Sequence, residues 1–292
     1  MMKKTLSVLL AAALAFALSA CGGTASSAAA STAASAAGSS AAASTGSSAA
    51  GYSTSLADIK AKGKLIIGLD DTFAPMGFRD ENNNLVGFDI DLATAVCKEL
   101  GVEPVFQPID WDAKELELST GKIDCIWNGM SITPERKEGM SLSDPYLNNR
   151  IIIMTNKGVT ITSKEDLANY NLGTQADSSA LETIKSDPVY DKIKDKITEY
   201  KSYDQVIMDM QAGRLDAMIV DEVLGQYKNT QLGNIFAVSD VNFGEDLYAV
   251  GFRKSDTELT QAVNAAIKTC EDNGSAAEIS NKWFGADVLV KN

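Results

Sequence analysis

The chain contains no histidine among its 292 residues, and it has only six prolines and four cysteines. Without histidine it cannot form a Ser-His-Asp triad, use a histidine general base or ligate zinc through imidazole. Basic residues are also few, since 26 Lys and Arg stand against 39 Asp and Glu, a net charge of −13. Proteins bind phosphate backbones through clustered Lys and Arg, so this charge excludes DNA and RNA as partners. No motif indicates a metal or a cofactor.

The sequence has no hydrophobic run long enough to span a membrane. The apolar segment near the N-terminus, residues 6–18, is too short to do so. It follows Lys3 and Lys4 and ends in small residues before Cys21. This arrangement predicts an export signal over residues 1–20. The ending Leu-Ser-Ala-Cys resembles the lipobox of bacterial lipoproteins, which implies an acylated Cys21 and a lipid anchor on the extracytoplasmic face of the cell membrane. The alternative is an ordinary secretory signal with an accidental cysteine.

After Cys21, residues 22–55 consist almost wholly of Ala, Ser, Gly and Thr. Such a composition cannot bury a core, so residues 21–55 are predicted to form a flexible tether. Its root-mean-square reach would be about 30 Å. The alanine runs could form local helix, but Gly38, Gly46 and the scattered Ser and Thr oppose it.

From Leu56 onward the composition is globular, and the remaining length suits two lobes better than one core. Short apolar segments alternate with amphipathic ones, which predicts an α/β fold with parallel sheets. The predicted strands cover residues 64–70, 105–109, 123–127, 151–154, 172–174, 197–200, 217–220 and 247–252. The predicted helices cover residues 89–100 and 113–120, a segment beginning at Thr133-Pro134, and, as the last, residues 257–270.

Two patterns occur twice in the sequence. The order Gly, basic, apolar, Asp, strand occurs at residues 121–126 and 213–218, and related segments at 56–59 and 165–168 each precede a strand. The repeats predict two lobes built on one plan. Because ligands of such sheets bind beyond the carboxyl ends of the strands, four strand ends are candidates for the binding site. They are Asp70, residues 129–131, residues 175–179 and Asp221.

The residues at these strand ends have complementary chemistry. Arg136, just inside the helix begun by Thr133, could bind a carboxylate through two parallel hydrogen bonds. Ser178 and Ser179, at a second helix start, could donate to the same anion. Asp221 is placed to bind a cation, so the set suits a zwitterion. Singly, Arg136 could be a surface arginine, and Asp221 and Ser178 could be helix N-caps; together, these alternatives weaken.

Three segments and one acid resemble those of a known family. They are residues 70–91 (DDTFAPMGFRDENNNLVGFDID), 129–136 (GMSITPER) and 143–146 (SDPY), and Asp221. From about Leu56 to the C-terminus the chain resembles family 3 of the bacterial extracellular solute-binding proteins, the amino-acid-binding subunits of ABC importers. The resemblance implies a periplasmic-binding-protein-like fold (type II) of two α/β lobes, which close on ligand about two crossovers near residues 146–150 and 243–247.

The resemblance further implies the organisation and the partners of the chain. The first lobe would comprise residues 56–147 plus 246–292, and the second residues 148–245. The chain would be a monomeric, non-enzymatic binding protein. Its partners would be a small amino acid, the transmembrane subunits of an ABC permease and, through the lipid anchor, the membrane.

The resemblance also assigns roles to residues. Arg136 corresponds to the arginine that binds the ligand α-carboxylate, with Ser131 and Ser179 helping. Asp221, the Gly129 carbonyl and Ser131 would hold the α-ammonium group. The positions around the ligand side chain are Asp70, Phe73, Trp111 and Gln175. From their own positions, Ser178 and Met130 are added to the lining, and Met130 is equally suited to the core. On spacing alone Phe73 and Trp111 are equally plausible as core aromatics. Asp70 could accept from a donor-bearing side chain, which points to a polar amino acid.

Asp177 departs from the family pattern, in which glycine is usual. A second anion there would disfavour a carboxylate ligand unless the side chain of Asp177 turns away from it.

Three cysteines follow Cys21, namely Cys97, Cys125 and Cys270, and all fall in the first predicted lobe. Export permits disulfides, but an odd count leaves one thiol over, and positions on helices and strands suit small buried hydrophobes. The sequence therefore predicts three reduced, buried thiols.

Other functions are known on this fold. Some relatives are cyclohexadienyl dehydratases, and others are sensor domains fused to kinases. No kinase or membrane span follows Asn292, which disfavours a sensor. The pairing of Arg136 with Asp221 suits holding an amino acid better than expelling water and carbon dioxide from a ring.

Overall fold

The computed structural model describes residues 54–290. The predicted signal peptide, Cys21 and the tether up to residue 53 lie outside this range. Within it, no helix combines the length and the apolar character needed to cross a bilayer. Thr54 and Ser55, predicted to end the tether, belong to the folded part. Thr54 is buried and its backbone N–H donates to Asp256 Oδ1 at 3.1 Å, and Ser55 caps the first helix.

Helices and strands alternate along the described chain. The α-helices are α1 (Leu56–Lys62), α2 (Phe88–Leu100), α3 (Lys114–Ser119), α4 (Pro134–Gly139), α5 (Ser179–Ser186), α6 (Tyr190–Ile193), α7 (Tyr203–Gln211), α8 (Glu222–Gln231), α9 (Thr257–Asp272) and α10 (Ser275–Phe284). The strands are β1 (Lys64–Leu69), β2 (Thr72–Phe73), β3 (Gly77–Arg79), β4 (Leu85–Val86), β5 (Glu103–Pro108), β6 (Cys125–Ile126), β7 (Met140–Leu142), β8 (Leu147–Thr155), β9 (Leu172–Gln175), β10 (Ile197–Tyr200), β11 (Ala217–Asp221), β12 (Ala237–Tyr248) and β13 (Gly251–Arg253). Short 3₁₀ helices cover Trp111–Ala113, Lys164–Asn169 and Lys194–Lys196.

Two five-stranded sheets organise the described residues. The first has the order β5-β1-β6-β13-β7, with β5, β1 and β6 parallel and β13 antiparallel to both of its neighbours. The second has the order β10-β9-β11-β8-β12, with β10, β9 and β11 parallel and β8 antiparallel to both neighbours. The predicted α/β class is confirmed. The sheets are mixed, however, because strands remote in sequence add antiparallel pairs to each parallel group.

Three details of the predicted elements are wrong. Residues 247–252 are not one strand, since β12 ends at Tyr248 and β13 starts at Gly251, each in a different sheet. Between them the Ala249 N–H donates to the Met130 carbonyl at 2.9 Å, outside either ladder. The helix at residues 257–270 is not the last, because Gly274 adopts φ 81° and α10 follows. The small sheet β2-β3-β4 was missed because its strands are too short to show alternation.

The repeated patterns correspond to repeated structure. Ser55 and Asp58 form a capping box at α1, and Ser163 and Asp166 form the same box at the 3₁₀ helix Lys164–Asn169. Each box satisfies N–H groups that a helix start would otherwise leave unpaired. The helix Pro134–Gly139 is capped by Thr133 with proline at its first turn, as predicted.

The two longest strands, β8 and β12, contain most of the predicted crossover residues. They pair antiparallel, with Asn149 opposite Asp246 and Leu147 opposite Tyr248. Ser131, which follows β6 of the first sheet, forms an isolated bridge with Tyr248. This end of the long pair therefore lies against the strand ends of the first sheet, while its remainder belongs to the second.

The three cysteines of the described chain are buried and free of disulfides. They lie on α2, β6 and α9, and all three join one hydrophobic cluster. Burial raises the pKa of Cys97 to about 12, so the thiol stays protonated. The prediction of three reduced, buried thiols is confirmed.

Candidate functional site

The four predicted strand ends meet in space. Asp70 follows β1, Gln175 ends β9, and the Gln175 side-chain amide donates to Asp70 Oδ2 at 2.7 Å. Ser131, after β6, lies 2.9 Å from Ser179, the first residue of α5, between hydroxyl oxygens. Residues at the strand ends of the first sheet therefore contact residues at the strand ends of the second. We call these residues, together with Arg136, Asn149, Asp221 and Asp246 described below, the site cluster.

Asp221, the last residue of β11, forms the acidic end of the site cluster. It is buried, and its Oδ1 accepts from Asn149 Nδ2 at 2.8 Å and from the Tyr248 hydroxyl at 2.9 Å. Burial, and then the neighbouring charge of Asp246, raises the pKa of Asp221 to about 7. Asp221 precedes α8 at the N-cap position but makes no side-chain cap bond. Its side chain faces the site cluster instead.

Sequence reasoning missed Asp246, a second acid on β12. Its Oδ2 accepts from the Ser131 hydroxyl at 2.5 Å and from Asn149 Nδ2 at 2.8 Å. Burial raises the pKa of Asp246 above its ordinary value. The only sequence feature that could have drawn attention to Asp246 is its position in a predicted crossover. Its proximity to Asn149 could not be predicted, because it results from the pairing of β12 with β8.

Arg136 forms the basic end of the site cluster and is only 3% exposed, so it is not a surface arginine. Its Nη1 donates to the Ser131 carbonyl at 3.0 Å, and Nη2 donates to Glu182 Oε1 at 2.8 Å and to the Asp177 carbonyl at 3.4 Å. Its Nε is buried without a hydrogen-bond partner among the described residues. A buried, unpaired guanidinium N–H suits a further acceptor, such as a carboxylate oxygen.

One network connects the basic and acidic ends. It runs from Arg136 through Ser131 to Asp246, and from there through Asn149 to Asp221. The positive charge of Arg136 partly offsets the effect of burial on the pKa of both acids. A guanidinium and two carboxylates thus face one small region.

Asp177 contacts Arg136 through its backbone carbonyl, while its carboxylate contacts Lys114. It adopts the left-handed conformation, φ 55°, and its carboxylate pairs with the ammonium group of Lys114. Lys114 is fully buried, and its ammonium lies 5.0 Å from the ring centroid of Trp111. Asp177 is therefore neutralised across the site cluster by a lysine that the sequence pattern did not single out.

The remaining predicted lining residues have different surroundings. The Phe73 ring packs edge-on against Tyr203 with centroids 6.2 Å apart, and Phe73 and Trp111 are each 7% exposed. Ser178 is the N-cap of α5, and its hydroxyl accepts from the Leu181 N–H at 3.2 Å. Ser178 therefore has the helix-capping role that was the alternative to ligand binding. The Met130 side chain is fully buried in a core cluster that also contains Trp111, and its place in the lining stays a prediction.

Gly129 is held where only glycine fits well. Its φ is 55°, and a Cβ there would lie 3.0 Å from Phe73 and 3.1 Å from Tyr248. Its N–H donates to Oδ2 of Asp89 at 2.7 Å, and the Tyr146 hydroxyl donates to the same oxygen at 3.0 Å. Burial raises the pKa of Asp89 to about 7. This buried acid anchors the loop that carries Ser131.

We expect the protein to become more stable as the pH falls from about 8 to about 5. The pKa values of Asp89 and Asp221 are about 7 in the folded state, against about 3.9 when unfolded. The folded protein therefore binds protons that the unfolded chain does not, and this contribution is lost as the pH rises through 7. Asp89→Asn should reduce the pH dependence of the unfolding free energy by up to about 1.4 kcal/mol per pH unit. The melting temperature should then change less steeply with pH.

Thermal melts across this pH range test the expectation, with Asp112→Asn, a change at an exposed aspartate, as the matched control. The control should reproduce the slope of the unmodified protein. An equally steep slope in Asp89→Asn would show that Asp89 does not bind the proton.

Among residues 54–290, no group of three or more Cys, Asp or Glu side chains is arranged to hold a metal ion. The two acids and Arg136 instead place opposite charges at the two ends of the site cluster. This arrangement is complementary to a small zwitterion.

The sequence profile of the bacterial extracellular solute-binding proteins, family 3, matches residues 65–286. The chain belongs to this family. Its α/β fold is the two-lobed fold of the family's periplasmic amino-acid-binding proteins. An ABC uptake transporter substrate-binding protein from Streptococcus pneumoniae, solved with bound histidine, is 37% identical, with a TM-score of 0.76 over 80% of this chain and 98% of that one.

Curated relatives in the family are binding proteins named for amino acids. The arginine-binding extracellular protein ArtP of Bacillus subtilis is 30% identical over 97% of this chain and 98% of its own length. The L-cystine-binding protein TcyJ of Escherichia coli K12 is 32% identical over 80% of this chain and 87% of its own.

Proposed function

We propose that this protein binds a polar amino acid between its two lobes and delivers it to the permease of an ABC importer. The observation that carries the proposal is the network that joins Arg136 to Asp221 through Ser131, Asp246 and Asn149. The α-carboxylate would lie against Arg136, and the α-ammonium group against the acids. Two relatives named for arginine and cystine, and one similar structure solved with bound histidine, support this class of ligand.

The carboxylate end offers several donors. Arg136 offers its Nε, which no group among residues 54–290 bonds, and the Nη2 group that also contacts Glu182. Ser179 contributes a hydroxyl group and starts α5, whose backbone N–H groups add positive potential. A carboxylate bound here would accept from the Ser179 hydroxyl, while the Ser131 hydroxyl keeps its proton directed at Asp246.

The predicted closure of the lobes provides the enclosure that a small ligand needs. A dissociation constant of 1 μM corresponds to about 8 kcal/mol. Small ligands gain at most about 1.5 kcal/mol per heavy atom, so an amino acid must contact protein on most of its surface. Contacts across the site cluster, Gln175 with Asp70 and Asp177 with Lys114, show how closely the two sheets approach.

Asp70 favours a ligand side chain that donates hydrogen bonds. Its Oδ2 faces Gln175, while Thr72 donates to Oδ1 through its backbone N–H at 2.9 Å and its hydroxyl at 2.6 Å. Burial raises the pKa of Asp70, and a cationic or amide side chain would stabilise its charged form. We therefore assign the ligand side chain to the Asp70 side of the site cluster.

The proposed localisation and assembly rest on the sequence. Acylated Cys21 would anchor the protein on the extracytoplasmic face of the membrane, and residues 22–53 would tether the lobes beside a permease. The protein would act as a monomer. Because the mature lobes carry an acidic surplus, nucleic acid is not among the proposed partners.

A thermal-shift screen of the twenty amino acids, ornithine and cystine tests the proposed function. An amino acid at a hundred times its dissociation constant adds about 2.7 kcal/mol to the unfolding free energy, which should raise the melting temperature by roughly 5–10 °C. Incubation with prephenate and arogenate tests the alternative dehydratase activity, and we expect no turnover. Failure of every amino acid to shift the melting temperature would refute the proposal.

A further inference from the structure

Two carboxylates share one amide group at the acidic end of the site cluster. Asn149 Nδ2 donates to Asp221 Oδ1 and to Asp246 Oδ2, each at 2.8 Å. The two oxygens therefore lie within two hydrogen-bond lengths of each other. Ser131 donates to Asp246 and Tyr248 donates to Asp221, so every one of these donors is neutral.

Other charged groups near the pair do not compensate for two negative charges. Arg136 is the cation whose charge acts on both acids, and it also pairs with Glu182. Beside Asp221 on α8, Glu222 pairs with Arg150. Glu245 on β12 is a further negative charge, and it interacts with Arg150.

The other titratable neighbours are tyrosines. Tyr203 on α7 and Tyr248 on β12 both respond to the charge of Asp221, and Tyr146 lies behind Tyr248. Burial holds the pKa of each ring hydroxyl above its ordinary value, so these groups remain neutral. These tyrosines therefore take up no proton near neutral pH. Among the described residues around them, Asp89, which accepts from the Tyr146 hydroxyl at 3.0 Å, also titrates there, so the test must separate it from the pair.

A second observation points to a ligand in the same network. Arg136, 3% exposed, has a buried Nε with no hydrogen-bond partner among the described residues. It connects to Asp246 through Ser131. An unpaired donor and a crowded pair of acids at opposite ends of a network fit the two ends of an amino acid.

We propose that Asp246 is a second ligand-binding acid, and that Asp246 and Asp221 share one proton which the ammonium group of the ligand displaces on binding. This inference rests on the proposed function. Like charges this close favour the uptake of one proton by the pair. An ammonium group supplies the missing positive charge, so both acids ionise and the proton passes to the solvent.

The inference links affinity to pH. Where the free pair holds one proton and the complex none, affinity falls tenfold for each unit by which the pH is lowered. Above the titration range of the pair no proton remains to be displaced, so affinity should no longer change with pH through these acids. Asp246→Asn removes one of the two charges, so Asp221 should lose its proton at lower pH.

Carbon-13 NMR of aspartate-labelled full chain measures the shared proton without any ligand. Two titrations near neutral pH are expected, one from Asp89 and one from the pair. Asp246→Asn should move the second to lower pH and leave that of Asp89 in place. The matched control, Asp240→Asn, changes an exposed aspartate of the same strand and should leave both unchanged. Detection of the Asp89 titration alone in the unmodified protein would overturn the inference.

Calorimetry with L-arginine, or with L-glutamine where arginine gives no thermal shift, measures the displaced proton. Titrations at about pH 6 in buffers of different ionisation enthalpy should show release of about one proton per ligand, and less than half of that in Asp246→Asn. Binding without proton release, or equal release in Asp246→Asn, would refute the inference while leaving the proposed function in place. Failure of all amino acids to bind in the screen would refute the proposed function itself.

Discussion

Arg136→Ala should abolish most of the amino-acid affinity, by about 3–5 kcal/mol or on the order of a hundredfold to several thousandfold. The substitution leaves the ligand carboxylate buried without its cation, and the acids Asp221 and Asp246 without the charge that offsets them. Arg136→Lys should lose less, because it keeps the charge but not the paired geometry of the guanidinium. Isothermal titration calorimetry with the best amino acid from the screen measures the difference.

Arg214→Ala provides the matched control for this prediction. Arg214 is an exposed arginine that pairs with Asp209, and neither residue belongs to the network that joins Arg136 to Asp221. Its substitution should leave affinity unchanged. A folded Arg136→Ala protein that binds as tightly as the unmodified one would remove the carboxylate from this end of the site.

Asp221→Asn should cost a similar amount, about 3–5 kcal/mol, because the ligand ammonium group would lose its principal counter-charge. Asn149 and Tyr248 both donate to Asp221 Oδ1, so they already satisfy an oxygen that asparagine retains. The variant should therefore fold. Above about pH 7 it should be more stable than the unmodified protein, since burying the charged carboxylate is no longer necessary.

These two opposite effects separate a binding role from a folding role. Calorimetry should show the loss of affinity, and thermal melts at about pH 8 should show the gain in stability. Glu222→Gln, at the next residue and paired with Arg150 instead, should show neither loss of affinity nor stabilisation. If Asp221→Asn bound ligand normally, the ammonium group would have to lie elsewhere in the cleft.

Buried acids recur around this site, and they are costly to the folded state. Asp89 anchors the Gly129 loop, Asp221 and Asp246 share Asn149, and Asp70 lies at the other side. Burial raises the pKa of all four above the ordinary range. Acids retained at such a cost are typical of functional sites, because their charge is compensated when the ligand binds.

The contacts that complete the site could not be predicted from the sequence. Arg136, Ser131 and Asp221 were found because each lies in or after a short local pattern, a capped helix start or a strand end. Asp246, Asn149, Glu182 and Lys114 come from other elements, and no local pattern marks them. Met130 packs in a core cluster with Trp111, a contact that its sequence position between Gly129 and Ser131 does not reveal.

The sequence by itself determined the α/β class, the repeated plan of the two sheets, the helix caps and the absence of histidine chemistry, since periodicity and caps depend on neighbouring residues. Only the tertiary structure decided which side chains meet. Strand pairing sets Asp246 opposite Asn149, and the approach of the two sheets joins Arg136 to Glu182 and Asp177 to Lys114. Burial, which governs the pKa values of the acids, is likewise a property of the packed protein and not of any segment.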